Sequence, residues 1–250
     1  MQLRAMVNDK SPKGEWMNFR SCPPGCPLCG GNTGWQRLVK LLLTIGQFNK
    51  AEELYNVLLE QTSDEDEKRH YYACLGYAKD NQGDYKKAIR YYEKALKIQQ
   101  ETLPSIHSDL ATPYNNIGNV YNKMGEYSKA LSFYEKALEI EQKTLPSNHP
   151  DLAISYNNIG TVYEKMGEYS KALSFYEKAL EIDQKTLPSN HPDLATSYNN
   201  IAGVYYHMKD YSKALSYYER ALDIFQRALP PTHPNIKSVK ESIEIVKKKL

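Results

Sequence analysis

A block of 42 residues recurs almost letter for letter in this chain, and no other feature restricts its fold so strongly. Residues 111–152 and 153–194 differ at five positions only, 112, 113, 119, 122 and 141. Tyr114, Tyr156 and Tyr198 each open the tetrapeptide YNNI at that spacing. Gly76, 42 residues before Gly118, lies in a more divergent copy, YYACLGYAKDNQGDYKKAIRYYEKAL. An earlier stretch, IGQFNKAEELYNVLL, matches MGEYSKALSFYEKAL but is closer by five residues, Gly46 to Gly83 being 37. A period of this length is one supersecondary unit that stacks on its neighbours.

Each unit predicts two helices. The first runs roughly from Asp151 to Lys165, with Tyr156, Ile159, Gly160 and Tyr163 on one face at helical spacing. His149-Pro150-Asp151 starts it: proline at a first helical position gives up no needed N–H, and the acid meets the positive end of the helix dipole. Met166-Gly167-Glu168 makes a tight turn. The second helix, Tyr169 to about Lys185, buries Ala172, Tyr176, Ala179 and Ile182, and Glu181 and Lys185 form a favourable i,i+4 pair on its wet side. Pro113, several residues into the third first-helix, predicts a kinked or frayed first turn there.

The order Tyr114, Ile117, Gly118, Tyr121, then Ala130, Tyr134, Ala137, is similar to the tetratricopeptide repeat. That unit is ordinarily about 34 residues; the extra length here falls in the second helix and the LPSNHPDLA connector. The lengthened form, with its Asn-Asn pair and preceding His-Pro, resembles the repeats of kinesin light chains over roughly residues 66–236. The resemblance implies an all-α, right-handed superhelical solenoid of antiparallel helix hairpins, with the first helices lining a concave surface. Hairpins are expected at about 34–63, 67–102, 109–144, 151–186 and 193–228. Residues 232–250 align with a first helix alone, and Glu244 stands where Gly160 and Ala202 do, so a solvent-facing C-terminal capping helix is expected. No heptad segment is present for joining a motor heavy chain.

Two asparagines in mid-helix need a reason, because the amide competes for backbone hydrogen bonds. The face turned away from the partner helix carries Thr112, Asn115, Asn116, Asn119, Asn122 and Lys123 in the third unit. The fourth offers Asn157, Asn158, Thr161, Glu164 and Lys165, and the fifth Thr196, Asn199, Asn200, Gly203, Tyr206 and His207. Amides both donate and accept, so such a ladder suits the backbone of an extended segment of a partner protein. The alternative is that one Asn of each pair bonds between neighbouring repeats. Asn119 and Asn158 match the amides of the carboxylate clamp found in tetratricopeptide domains that hold chaperone C-termini, but Asn115, Thr196 and Asn200 stand where its basic residues would be. Internal segments are therefore expected as ligands, with Lys123, Lys165 and His207 favouring an acidic one.

Charge and composition exclude other classes. Net charge is +2 with the two signs interspersed, which gives no basic surface for nucleic acid. The most apolar run, Leu38 to Ile45, is interrupted by Lys40 and is too short to span a bilayer. No nucleophile–base pair, phosphate loop or HExxH motif occurs, so an enzyme is not expected; the other reading of such an array is the repeat portion of a larger enzyme or signalling protein. Cys22, Cys26 and Cys29 form C-x3-C-x2-C, the spacing with which radical-SAM enzymes hold an iron–sulfur cluster, and they would supply three of four zinc ligands. Without a barrel to complete such a site, residues 1–33 are expected to be an irregular, disordered leader with incidental cysteines and no cofactor. Sparse cysteine and no secretory signal predict a cytoplasmic protein.

Overall fold

The computed structural model describes residues 34–250. The leader and its Cys22, Cys26 and Cys29 lie outside the described residues. Eleven α-helices follow one another among those described, most of them in hairpins: α1 (Gly34–Thr44) with α2 (Phe48–Gln61), α3 (Glu65–Asn81) with α4 (Tyr85–Thr102), α5 (Ala111–Lys123) with α6 (Tyr127–Thr144), α7 (Pro150–Lys165) with α8 (Tyr169–Thr186), and α9 (Pro192–His207) with α10 (Tyr211–Ala228). The last, α11 (Pro234–Lys247), packs on α10. Every helix touches its successor in the chain, so the hairpins stack in sequence order.

Inside each of the middle hairpins a glycine of the first helix faces a tyrosine of the second. A Cβ on Gly118 would come within 2.7 Å of the Tyr134 ring, and one on Gly160 within 2.8 Å of the Tyr176 ring. Both rings are essentially sealed from solvent. The hairpin turns close on a residue in the left-handed conformation: Gly83, Gly125 and Gly167 at φ 76–77°, but Lys209 at φ 64° in the fifth hairpin. A lysine there carries a Cβ–carbonyl conflict of about 1–2 kcal/mol, partly offset by the entropy that glycine loses on folding. Lys209→Gly should therefore raise stability by about 0.5–1 kcal/mol, read as a higher midpoint in urea; an unchanged or lower midpoint would contradict this.

The connectors start their helices with histidine. The Nδ1 atoms of His149, His191 and His233 accept the backbone N–H two residues on, each at 3.2 Å, and His107 does the same at 3.3 Å. Asp84, a carboxylate in the equivalent role at a hairpin turn, accepts from the Lys87 N–H. Pro113 has the predicted effect. Residues Ser108–Leu110 form a 3-10 turn where α7 and α9 are already α-helical. Proline has no N–H for the Asp109 carbonyl, and the buried Gln99 amide of α4 donates to that carbonyl instead, at 2.9 Å.

Successive hairpins are tied by a repeated clasp. Gln100, Gln142 and Gln184, near the ends of α4, α6 and α8, donate to the hydroxyls of Tyr114, Tyr156 and Tyr198 in the next first helix, at 2.9–3.0 Å. Lys136, Lys178 and Arg220 lie over those same rings, within 5.7 Å of the centroids. Each of these three tyrosines packs its ring between hairpins while its hydroxyl takes a hydrogen bond. At the C-terminal end, α11 buries Ile236, Val239, Ile243 and Val246 and leaves Glu244 and Ile245 in solvent.

Candidate functional site

Among the paired asparagines, Asn115 stands apart. Asn115 points across the hairpin boundary: its Nδ2 donates to Glu141 Oε1 of α6 at 3.2 Å and to Ser155 Oγ of α7 at 3.3 Å. That is the structural alternative raised by the sequence. Asn157 holds the equivalent place, and its Oδ1 is buried. Asn199, in the same register, lies where the corresponding neighbours are Phe225 and Val239, both buried. Of the first members, only Asn115 makes a side-chain hydrogen bond among the described residues. Asn116, Asn158 and Asn200 are half-buried and make no side-chain hydrogen bond among the described residues.

Further along the same helices, the candidates are engaged with the protein itself. Asn119 Oδ1 accepts the Tyr134 hydroxyl at 2.6 Å. Thr161 Oγ1 lies 3.1 Å from the Tyr176 hydroxyl and donates to the Asn157 carbonyl; Tyr176 also donates to Glu164 Oε2 at 2.8 Å. Burial pushes both phenols well above their ordinary range, so they remain neutral donors. Lys123 pairs with Asp80 at 2.7 Å, Lys165 donates to Asn122 Oδ1 at 3.0 Å, and His207 Nε2 lies 3.9 Å from Glu164 Oε1 while its ring stacks on Tyr169. Each of these bridges joins one first helix to the previous one. Asp80 thereby compensates Lys123, whereas the partner of Lys165 is a neutral amide.

Among the described residues no group of three or more His, Cys, Asp or Glu could hold a metal ion, and no helix is long and apolar enough to cross a membrane. The interfacial carboxyls Glu141 and Asp183 went unnoticed in the sequence. A signal was available: position 141 is one of the five that vary between the near-identical blocks, and it varies only from Glu to Asp.

Family models described as tetratricopeptide repeat match residues 70–101, 109–185 and 194–235. The chain belongs to the tetratricopeptide repeat family. No curated protein matches it significantly. Among solved structures, BtubC (BKLC) from P. vanneervenii is 29% identical with a TM-score of 0.70, over 80% of this chain and 81% of that one. A putative kinesin light chain from Podosopora anserina with nearly identical TPR-like repeats is 24% identical, TM-score 0.66, over 77% and 94%. YrrB, a TPR protein with an unusual peptide-binding site, is 22% identical, TM-score 0.52, over 83% and 90%. The last two likenesses speak to the fold alone. The architecture is an all-α, right-handed superhelical solenoid of tetratricopeptide hairpins, the fold of protein–protein interaction scaffolds.

Proposed function

We propose that the protein is a non-catalytic adaptor that holds an extended internal segment of a partner protein along its first-helix face. The observation that carries this reading is the set Asn116, Asn158 and Asn200: three amides at one register of α5, α7 and α9, without hydrogen-bond partners among the described residues. In a curved stack the inner helices lie closest together. The bridges Lys123–Asp80, Lys165–Asn122 and His207–Glu164 all run between consecutive first helices, which supports placing those helices on the concave side. The resemblance of the 42-residue repeats to those of kinesin light chains makes cargo recognition in the cytoplasm the setting we favour. YrrB, whose fold is shared, is named for a peptide-binding site.

The amides would pair with backbone N–H and C=O groups of the bound segment, giving affinity without a strict sequence. Preference for acidic residues would centre on Lys165, since Asp80 already compensates Lys123. Near-balanced charge makes nucleic acid a poor ligand. Peptides selected from a random displayed library and titrated with free and amidated C-termini test the internal-segment reading. Amidation should change Kd by no more than about twofold; a loss of about tenfold, near 1.4 kcal/mol, would show that a terminal carboxylate is recognised instead.

A further inference from the structure

Two acids in the hairpin interfaces take no part in the binding role. Glu141 of α6 is 4% exposed and Asp183, at the same register of α8, is 8% exposed. Each faces a buried serine of the following helix: Asn115 Nδ2 bridges Glu141 and Ser155, and Ser197 Oγ donates to Asp183 Oδ2 at 2.6 Å. The charged groups around them do little to favour ionisation. Glu141 sees Asp151 of α7, another acid, and Asp183 sees Asp193 of α9 together with His191 at the start of that helix.

The polar groups at these joints outnumber the protons available to them. Glu141 Oε2, Asn115 Oδ1 and Asn157 Oδ1 are all buried, and none accepts a hydrogen bond among the described residues. An ionised carboxylate adds charge and no donor to such a place, whereas a neutral carboxyl adds the missing donor. The flanking interfaces carry no acid at this register: Gln99 of α4 faces the Pro113 turn, and Phe225 of α10 pairs in register with Val239 of α11.

We infer that the α6–α7 and α8–α9 interfaces are proton-dependent joints, locked by neutral Glu141 and Asp183 and loosened when these ionise, while the flanking interfaces are insensitive. Burial agrees with this: it pushes Glu141 up to about 7 and Asp183 above the usual carboxylate range, against hydrogen bonds from Ser155, Asn115 and Ser197 that act the other way. For Glu141 the folded chain holds a proton that the unfolded chain has released. Its stabilising contribution is therefore complete below about 4.5 and is lost as pH rises through about 7. The joints separate the hairpins that carry Asn116, Asn158 and Asn200, so loosening them changes the spacing of those amides.

Thermal unfolding of the full chain at pH 5 and pH 8 tests the joint, comparing the native protein with Glu141→Gln/Asp183→Asn. The amides keep the shape and the donor of the neutral acids. Between the two pH values the native Tm should fall by roughly 5 °C more than that of the variant, and the variant should melt higher at pH 8. Parallel curves, or a variant that melts lower at both pH values, would overturn the inference. Should the variant not fold, carboxyl titration of the native chain by NMR decides: one Glu and one Asp titrating above the ordinary range support it, and all carboxyls titrating below about pH 5 refute it.

Discussion

Tyr176→Ala is expected to cost about 3–5 kcal/mol, because it empties a fully buried site that no neighbouring side chain can refill. The ring lies against Gly160, its hydroxyl bonds to Glu164 and Thr161, and the helix pair α7–α8 closes around it. Gly160→Ala attacks the same contact from the other side. Its Cβ would sit 2.8 Å from the ring, an overpacking cost of about 1–3 kcal/mol. The two substitutions should not add. Once the ring is gone, the methyl group introduced at position 160 has room, and alanine is favoured over glycine inside a helix by about 1 kcal/mol, so the double variant should be no less stable than Tyr176→Ala alone. Urea unfolding of the four species forms the cycle; strictly additive costs would mean that ring and glycine are not in the contact described. In the fifth hairpin Ala202 stands in the place of Gly160 and is followed by Gly203, and its Tyr218 is 8% exposed against 1% for Tyr176.

Changing Asn116, Asn158 and Asn200 together to alanine should weaken partner binding by about a hundredfold or more without destabilising the fold. These amides make no internal hydrogen bond, so their loss leaves no group of the protein unsatisfied, and alanine is the better helix former. Bound to a segment, three amides lost at a net of about 1 kcal/mol each amount to roughly a hundredfold in Kd or more. Asn115 should show the reverse. Asn115→Ala removes the bridge between Glu141 and Ser155 and should lower stability by about 1 kcal/mol, with binding affected only through the altered joint. Comparing Asn115→Ala with Asn116→Ala thus separates two roles that a shared residue type conceals.

Helical periodicity and the near-identical blocks were sufficient for the hairpins, their turns and their small–large contacts, since each of these depends on residues close in sequence. The break at Pro113 was equally legible, being a matter of one missing N–H. The interfaces between hairpins were not. Asn115 bonds to residues 26 and 40 positions away, and Lys123 reaches Asp80 at 43. Periodicity assigns such residues to a face but cannot tell a contact with the next unit from a contact with a ligand. Asn115 and Asn116 are adjacent and chemically identical, yet one bonds to the next unit and the other makes no side-chain hydrogen bond among the described residues. The charge expected of Lys123 was legible as a residue type, while its compensation by Asp80 depended on the superhelical offset between first helices.

The central claim, that amides along the first-helix face grip a partner segment, is tested most directly by titrating one selected peptide into three proteins by calorimetry. These are the native chain, the Asn116→Ala/Asn158→Ala/Asn200→Ala variant, and a control carrying Glu135→Ala, Glu177→Ala and Glu219→Ala on the exposed side of the second helices. The account predicts native affinity in the control and a loss of about a hundredfold or more in the amide variant, with the amide variant melting no lower than the native chain. Undiminished binding by the amide variant, or loss in the control instead, would contradict it.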